Sequence, residues 1–309
     1  MNTDFWRLAL GIIGFLAAST VFSHILVWRV GRDNPTIRNL AERVDAWWLL
    51  VGIGIPAIAA GRAPAIVLFA FASFLSLREF LSLTPTRPGD RPALFAAFFV
   101  AIPAQYVLVG ANWYGLFAIF LPVYGFLVIS ALTAVAQDTQ HYLERTAKIQ
   151  WSVMVCVYGI SHAPALMFLD IPGYDAADGV LLLFFLLVTQ ISDVLQYVCG
   201  KLFGRHKLAP ALSPSKTWEG LIGGGLLATA VGTALYSFTP FRPWQAGLLA
   251  LAIVVAGVIG GLVLSAVKRS LGAKDWGASI PGHGGMLDRM DSIAFAAPIF
   301  FHLTRFWYG

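Results

Sequence analysis

The sequence predicts an all-α fold, a polytopic transmembrane helical bundle of about nine to ten spans. Three observations carry that expectation. Hydrophobic residues make up 58% of the 309 positions and charged residues 12%, about half the charged share of a soluble domain. Apolar runs close to membrane length recur along the whole chain. The basic residues fall into alternating connections between those runs, the partition that sets orientation in a bilayer.

The first run, 6–28, is too long for the apolar part of a cleaved leader, and no small-residue cleavage site follows it. It is expected as a retained span. The run at 46–60 is short, so it either crosses or lies tilted or re-entrant, which is the difference between ten spans and nine. The runs at 64–83, 93–110, 113–134, 150–169, 179–199, 218–238, 246–267 and 291–307 approach the roughly 20 residues that a helix needs to cross hydrocarbon. Strands do not reach this length, and barrel strands alternate in polarity. Backbone groups in lipid must be satisfied within their own segment, so the runs are helices.

Seventeen of the 21 basic residues lie in one set of connections, at 29–43, 78–91, 145–148, 201–216 and 268–289. Arg7, Arg62, Arg242 and Arg305 make up the rest. The first set is therefore expected to be cytoplasmic, with both termini outside in the ten-span arrangement. If 46–60 does not cross, the N-terminus moves inside and the later loops keep their side. N-terminal helices are expected over 1–175 and a catalytic region over 176–309, with loops 200–217 and 268–290. The net charge of +5 comes from short clusters, so no nucleic-acid partner is expected. Cys156 and Cys199 sit in apolar runs and read as small buried hydrophobes, not a disulfide. Gly223, Gly224, Gly225, Gly257, Gly260 and Gly261 would suit close helix contacts, within one chain or between two in a homodimer.

Two connections hold ordered polar residues. In 193–220, Asp193 lies well inside an apolar run, where an ionisable group is costly and a functional candidate. A structural pair with a basic residue of a neighbouring helix is the alternative. Ser213, Lys216, Thr217 and Glu219 precede the next span. Hydroxyls and a lysine there can bind phosphate oxygens at a helix N-terminus. A helix cap with a snorkelling lysine accounts for the same residues. The Ser213-x-x-Lys216 spacing of a serine–lysine nucleophile has no other acyl-transfer feature beside it.

In 265–292, Asp275, Asp288 and Asp291 share one loop with Lys268, Arg269, Lys274 and Arg289. A set of carboxylates without thiolates suits Mg²⁺, which keeps waters and binds substrate phosphates. Asp288 and Asp291 share a helix face, and they open a span, where acids also complement the helix dipole. Gly284 and Gly285 beside His283 let the backbone approach a ligand. His283 reads as a phosphate donor, a proton relay or a structural donor.

These residues resemble the signature of the phosphatidate cytidylyltransferase family. The pattern runs through Ser265, Lys268, Arg269, Lys274, Asp275, Pro281, His283, Gly284, Gly285, Asp288, Arg289 and Asp291. The upstream segment is similar too, at Asp193, Tyr197, Gly200, Gly204, Pro210, Ser213, Pro214, Lys216, Thr217, Glu219 and Gly220. The triplet Arg78-Glu79-Phe80 is like one near the front of family members. Gln196 and Ser215 depart from the family, where alanine and a basic residue are common, so the chain looks like a divergent branch.

The resemblance implies transfer from CTP to phosphatidate, giving CDP-diacylglycerol and pyrophosphate, in the cell inner membrane. It implies catalytic roles for the loop's charged residues and His283, with Asp193, Tyr197, Ser213, Lys216, Thr217, Glu219, Gly284 and Gly285 binding substrate. Mg²⁺ is expected on Asp288 and Asp275, with help from Asp291 or Asp193. Two alternatives stay open: another lipid phosphate, from an ether lipid or a polyprenol, and a transporter whose ion path uses Asp193 and Glu79.

Overall fold

The computed structural model describes residues 3–30, 35–175, 178–279 and 284–308. Ten long helices run through the described residues. They are α1 (Thr3–Val30), α2 (Pro35–Ala59) and α3 (Arg62–Ser82), then α4 (Pro88–Gly110), α5 (Tyr114–Val135), α6 (Tyr142–Phe168), α7 (Val180–Phe203), α8 (Trp218–Phe238) and α9 (Pro243–Ser270). The last is α10 (Leu287–Tyr308). Eight of them, α1 and α3 to α9, are long and apolar enough to cross a membrane. The 46–60 run proves to be the apolar half, Trp47–Ala59, of a 25-residue helix. The 291–307 run lies in α10, which is more polar because it carries Asp288, Arg289, Asp291 and Arg305. Large exposed apolar side chains such as Val67, Phe71, Phe95 and Leu226 cover the outside, a surface that suits lipid.

Three of the helices contain one wide turn, at Ala97–Ala101, Phe120–Gly125 and Met154–Gly159. Proline removes a backbone donor and loosens the ladder before it, and Pro103 and Pro122 stand at the first two. At the third, Gly159 lies directly against the Ala294 carbonyl of α10, leaving no room for a side chain.

α10 is the hub, packing on α9, α7, α6 and α3. Small residues make this possible: Ala294, Ala296 and Ala297 are buried in the common core, and small interfaces let helix backbones approach in lipid. α7 and α8 also cross closely. A Cβ on Gly224 would overlap the Gln196 backbone, and one on Gly220 would lie 2.6 Å from the Gln196 carbonyl oxygen. Cys156 and Cys199 are free and buried.

At one end of the bundle the loops are tied by ions. Arg145 donates to Asp90 Oδ1 at 2.6 Å and to the Asp138 carbonyl at 2.6 Å, with both charged side chains of the Arg145–Asp90 pair buried. Arg87 donates to Asp138 Oδ2 at 2.7 Å, and this guanidinium holds the Asp138 carboxyl below the usual carboxylate range. The same end carries a feature the sequence reading lacked, a two-stranded hairpin between α7 and α8. β1 (Lys207–Ala209) pairs antiparallel with β2 (Ser213–Thr217), Lys207 opposite Thr217.

Candidate active site

The loop from α9 to α10 is closed by Asp288. Lys268, in the last turn of α9, donates to Asp288 Oδ1 at 2.6 Å, and the two side chains are 11% and 7% exposed. The backbone N–H groups of Trp276 and Gly285 both donate to Oδ2 at 2.9 Å. A carboxylate in the first turn of a helix complements its dipole, and here it also gathers the loop. Gly284 has φ 77°, a left-handed conformation that glycine adopts at no steric cost. Trp276 is buried and stacks on Phe80 of α3, ring centroids 4.8 Å apart. Asp288 is thus a staple for the loop, with both oxygens in use.

One helical turn further, Asp291 belongs to a second group. Its Oδ1 accepts from Ser292 N at 2.7 Å, while Ser292 Oγ donates to Asp193 Oδ2 of α7 at 3.1 Å. Asp193 and Asp291 act on each other electrostatically, and Lys216 and Arg289 attract both. Lys268 also attracts Asp291 electrostatically. Asp193 is exposed, so the recess these charged groups form between α7, α9 and α10 is open at one side. Lys216 does not snorkel outward. A Cβ placed on Gly261 would lie 2.9 Å from Lys216 Nζ and 3.9 Å from Asp291 Oδ2. The lysine therefore crosses α9 at a bare glycine and points at the acids.

Other expected site residues lie apart from this recess. Thr217 caps α8, accepting from Gly220 N at 3.1 Å, and Gly200 and Gly204 pack on it. Glu219 accepts from Arg205 N at 3.0 Å and from His206 Nδ1 at 2.5 Å, bracing the start of the hairpin. Arg269 donates to the carbonyls of Leu212 and Ala273 at 3.3 and 3.1 Å, joining the hairpin turn to the end of α9. Ser213 is half-buried in β2. Tyr197 is exposed beneath Lys201, 5.8 Å from its ammonium. Lys274 and Asp275 are exposed, Asp275 beside Gly284. Pro281, Gly282 and His283 lie outside the described residues.

Mg²⁺ was expected on Asp288 and Asp275, with help from Asp291 or Asp193. Among the described residues, no three acid, histidine or cysteine side chains converge on one metal position. The acids divide into the Asp193–Asp291 pair and the stapled Asp288 with Asp275 nearby. A pair is enough for an ion that takes one or two carboxylates and fills its remaining positions with water and substrate phosphate. Asp193 and Asp291 fit that donor set.

Gln196, one of the departures, turns its amide back onto Ser192 Oγ at 2.7 Å, and Ser215 is exposed on the hairpin. Ser292 was not among the expected site residues, and Glu79 was expected only within the Arg78-Glu79-Phe80 triplet and as part of the alternative ion path. Glu79 is 3% exposed in α3 and accepts from Ser279 Oγ at 2.5 Å, Met286 N at 2.9 Å and Leu287 N at 2.9 Å. An acid inside an apolar run and the triplet resemblance were its signals, and neither foretold its contact with the loop before α10.

Comparison with known proteins gives the same direction. The cytidylyltransferase family matches residues 41–307. The uncharacterized protein YnbB of Escherichia coli is 35% identical over 299 residues, 96% of each chain. A phosphatidate cytidylyltransferase of Mycobacterium leprae is 40% identical over 124 residues, 40% of each chain. One of Staphylococcus haemolyticus is 41% identical over 120 residues, covering 38% of this chain and 46% of its own length. The matched region thus spans less than half of either phosphatidate cytidylyltransferase. Given the match over residues 41–307 and the ten packed helices, the chain belongs to the cytidylyltransferase family, as a polytopic membrane nucleotidyltransferase.

Proposed function

We propose that the protein transfers the cytidylyl group of CTP to a lipid phosphate, phosphatidate in the first instance, giving CDP-diacylglycerol and pyrophosphate. An oxygen of the lipid phosphate forms a bond to the α-phosphorus of CTP, and the bond to the leaving pyrophosphate breaks. The nucleophile is already an anion, so no general base is required. The obstacle is bringing two polyanions together and holding attacking and leaving oxygens in line.

The single observation that carries this reading is the recess in which Asp193 and Asp291 face Lys216 and Arg289 beside a stapled loop. Lys216 and Arg289 supply positive charge to triphosphate oxygens, and exposed Lys274 supplies more at the rim. Asp193 and Asp291 would hold Mg²⁺, which when bound neutralises phosphate charge. Lys268 and Asp288 hold the described parts of the loop at the start of α10. CTP is dissolved in the cytoplasm and the lipid phosphate lies at the interface. The basic-residue partition therefore supports a cytoplasmic mouth in a cell's inner membrane.

A second lipid is favoured by one observation: YnbB matches along the whole chain, whereas the phosphatidate enzymes match over 40% or less of it. The test is labelled CTP with inside-out membrane vesicles and a panel of phosphatidate, ether-lipid phosphate and polyprenyl phosphate. Labelled CDP-lipid and Mg²⁺-dependent pyrophosphate release are expected from phosphatidate. Product from another member alone would move the substrate. No product from any member, or product only from right-side-out vesicles, would overturn the reaction or the orientation respectively.

A further inference from the structure

We propose that Glu79 is a positioning residue for the transfer: from α3 it caps α10 and so sets where Asp288 and Asp291 stand, a role that rests on the proposed function of those groups. The first N–H groups of a helix have no partner within it. A cap usually comes from a side chain beside the helix in sequence. Here the N–H groups of Met286 and Leu287 donate to Glu79 Oε1 and Oε2, each at 2.9 Å, across 207 and 208 residues. Ser279 Oγ, from within the loop, donates to Oε1 at 2.5 Å. One carboxylate therefore grips both the loop and the start of the helix.

The fit leaves no slack. A Cβ on Gly285 would overlap Glu79 Oε2, and one on Gly277 would lie 3.1 Å from Oε1. The loop backbone wraps the carboxylate from two sides. Asp288 follows directly and Asp291 one turn later, so a slip in the first turn of α10 carries both. An acid inside an apolar helix is costly. Three donors and the positive end of the helix offset that cost. The carboxylate is buried beside the loop, at 3% exposure.

The full-length protein in nanodiscs provides the test, as wild type, Glu79→Gln, Glu79→Asp and Ser279→Ala. Hydrogen exchange at amides 286 and 287 is the direct readout. Glutamine keeps one acceptor and turns an NH₂ on the other donor, so exchange should rise at least about tenfold. Glu79→Asp retains two acceptors and should fall between. With CTP and lipid phosphate, Glu79→Gln should lower kcat and raise the Mg²⁺ needed for half-maximal rate, with KM for the lipid little changed. Wild-type exchange at both amides in Glu79→Gln would overturn the cap. Faster exchange with unchanged kcat and Mg²⁺ requirement would overturn the positioning role. If Glu79→Gln fails to insert, Glu79→Asp and Ser279→Ala carry the same readouts. A wild type without transfer to any lipid phosphate overturns the functional reading and the positioning role with it, while the exchange result still decides the cap.

Discussion

Asp288 and Asp291 stand one helical turn apart, yet their surroundings give them different work. Asp288 is spent on Lys268 and two backbone N–H groups, whereas Asp291 faces Asp193 and Lys216 across a recess. Asp288→Asn should therefore stop turnover chiefly by leaving Lys268 buried without a partner, a loss of about 3–5 kcal/mol. The double variant Asp288→Asn with Lys268→Met should recover much of that stability, measured by thermal unfolding in detergent, without recovering turnover. Asp291→Asn should instead abolish CTP-dependent pyrophosphate release while leaving the melting temperature close to wild type. A stable, active Asp288→Asn variant would overturn the staple, and an active Asp291→Asn variant would overturn the recess as the reacting site. The spacing Asp288-x-x-Asp291 was legible as one helix face. The division of labour was not, because it depends on Lys216 crossing α9 at Gly261, a contact between residues 45 apart in sequence.

Among the elements, the helices were the most legible, since each needs only a long apolar run and an internally bonded backbone. Eight runs became helices able to cross a membrane, and the doubtful 46–60 run became the end of a longer helix. The hairpin β1–β2 was not foreseen: its strands hold three and five residues, Pro214 interrupts the second, and no alternating apolar pattern marks it. Thr217 and Glu219 were expected among the substrate-binding residues, with a helix cap as the other reading; Thr217 caps α8, as a hydroxyl before a helix does, and Glu219 holds the amide of Arg205 at the start of the hairpin. The ionic knot at the same end was equally hidden, since its partners Asp90 and Arg145 meet only after α4, α5 and α6 have packed. Arg145→Ala should leave Asp90 buried and unpaired and cost about 3–5 kcal/mol. Thermal unfolding would show it, with the Mg²⁺ requirement of any surviving activity unchanged. A melting temperature equal to wild type would show that the knot contributes nothing.

For the molecule as a whole, both groups of site residues depend on one helix touched from every side. α10 receives its cap from α3, its staple from α9 and the facing acid from α7. The families of contacts therefore join the early helices and the late ones into one core.

That arrangement bears on how the protein is put together. Helices in lipid can insert separately and associate afterwards, so the chain need not be continuous for the halves to find each other. Two pieces, 1–172 and 173–309, co-expressed from separate messages, should reassemble and regain transferase output through the grip of Glu79 on the opening of the final helix. The second piece alone should insert yet stay silent, and full output from it alone would show that the earlier helices are dispensable scaffolding.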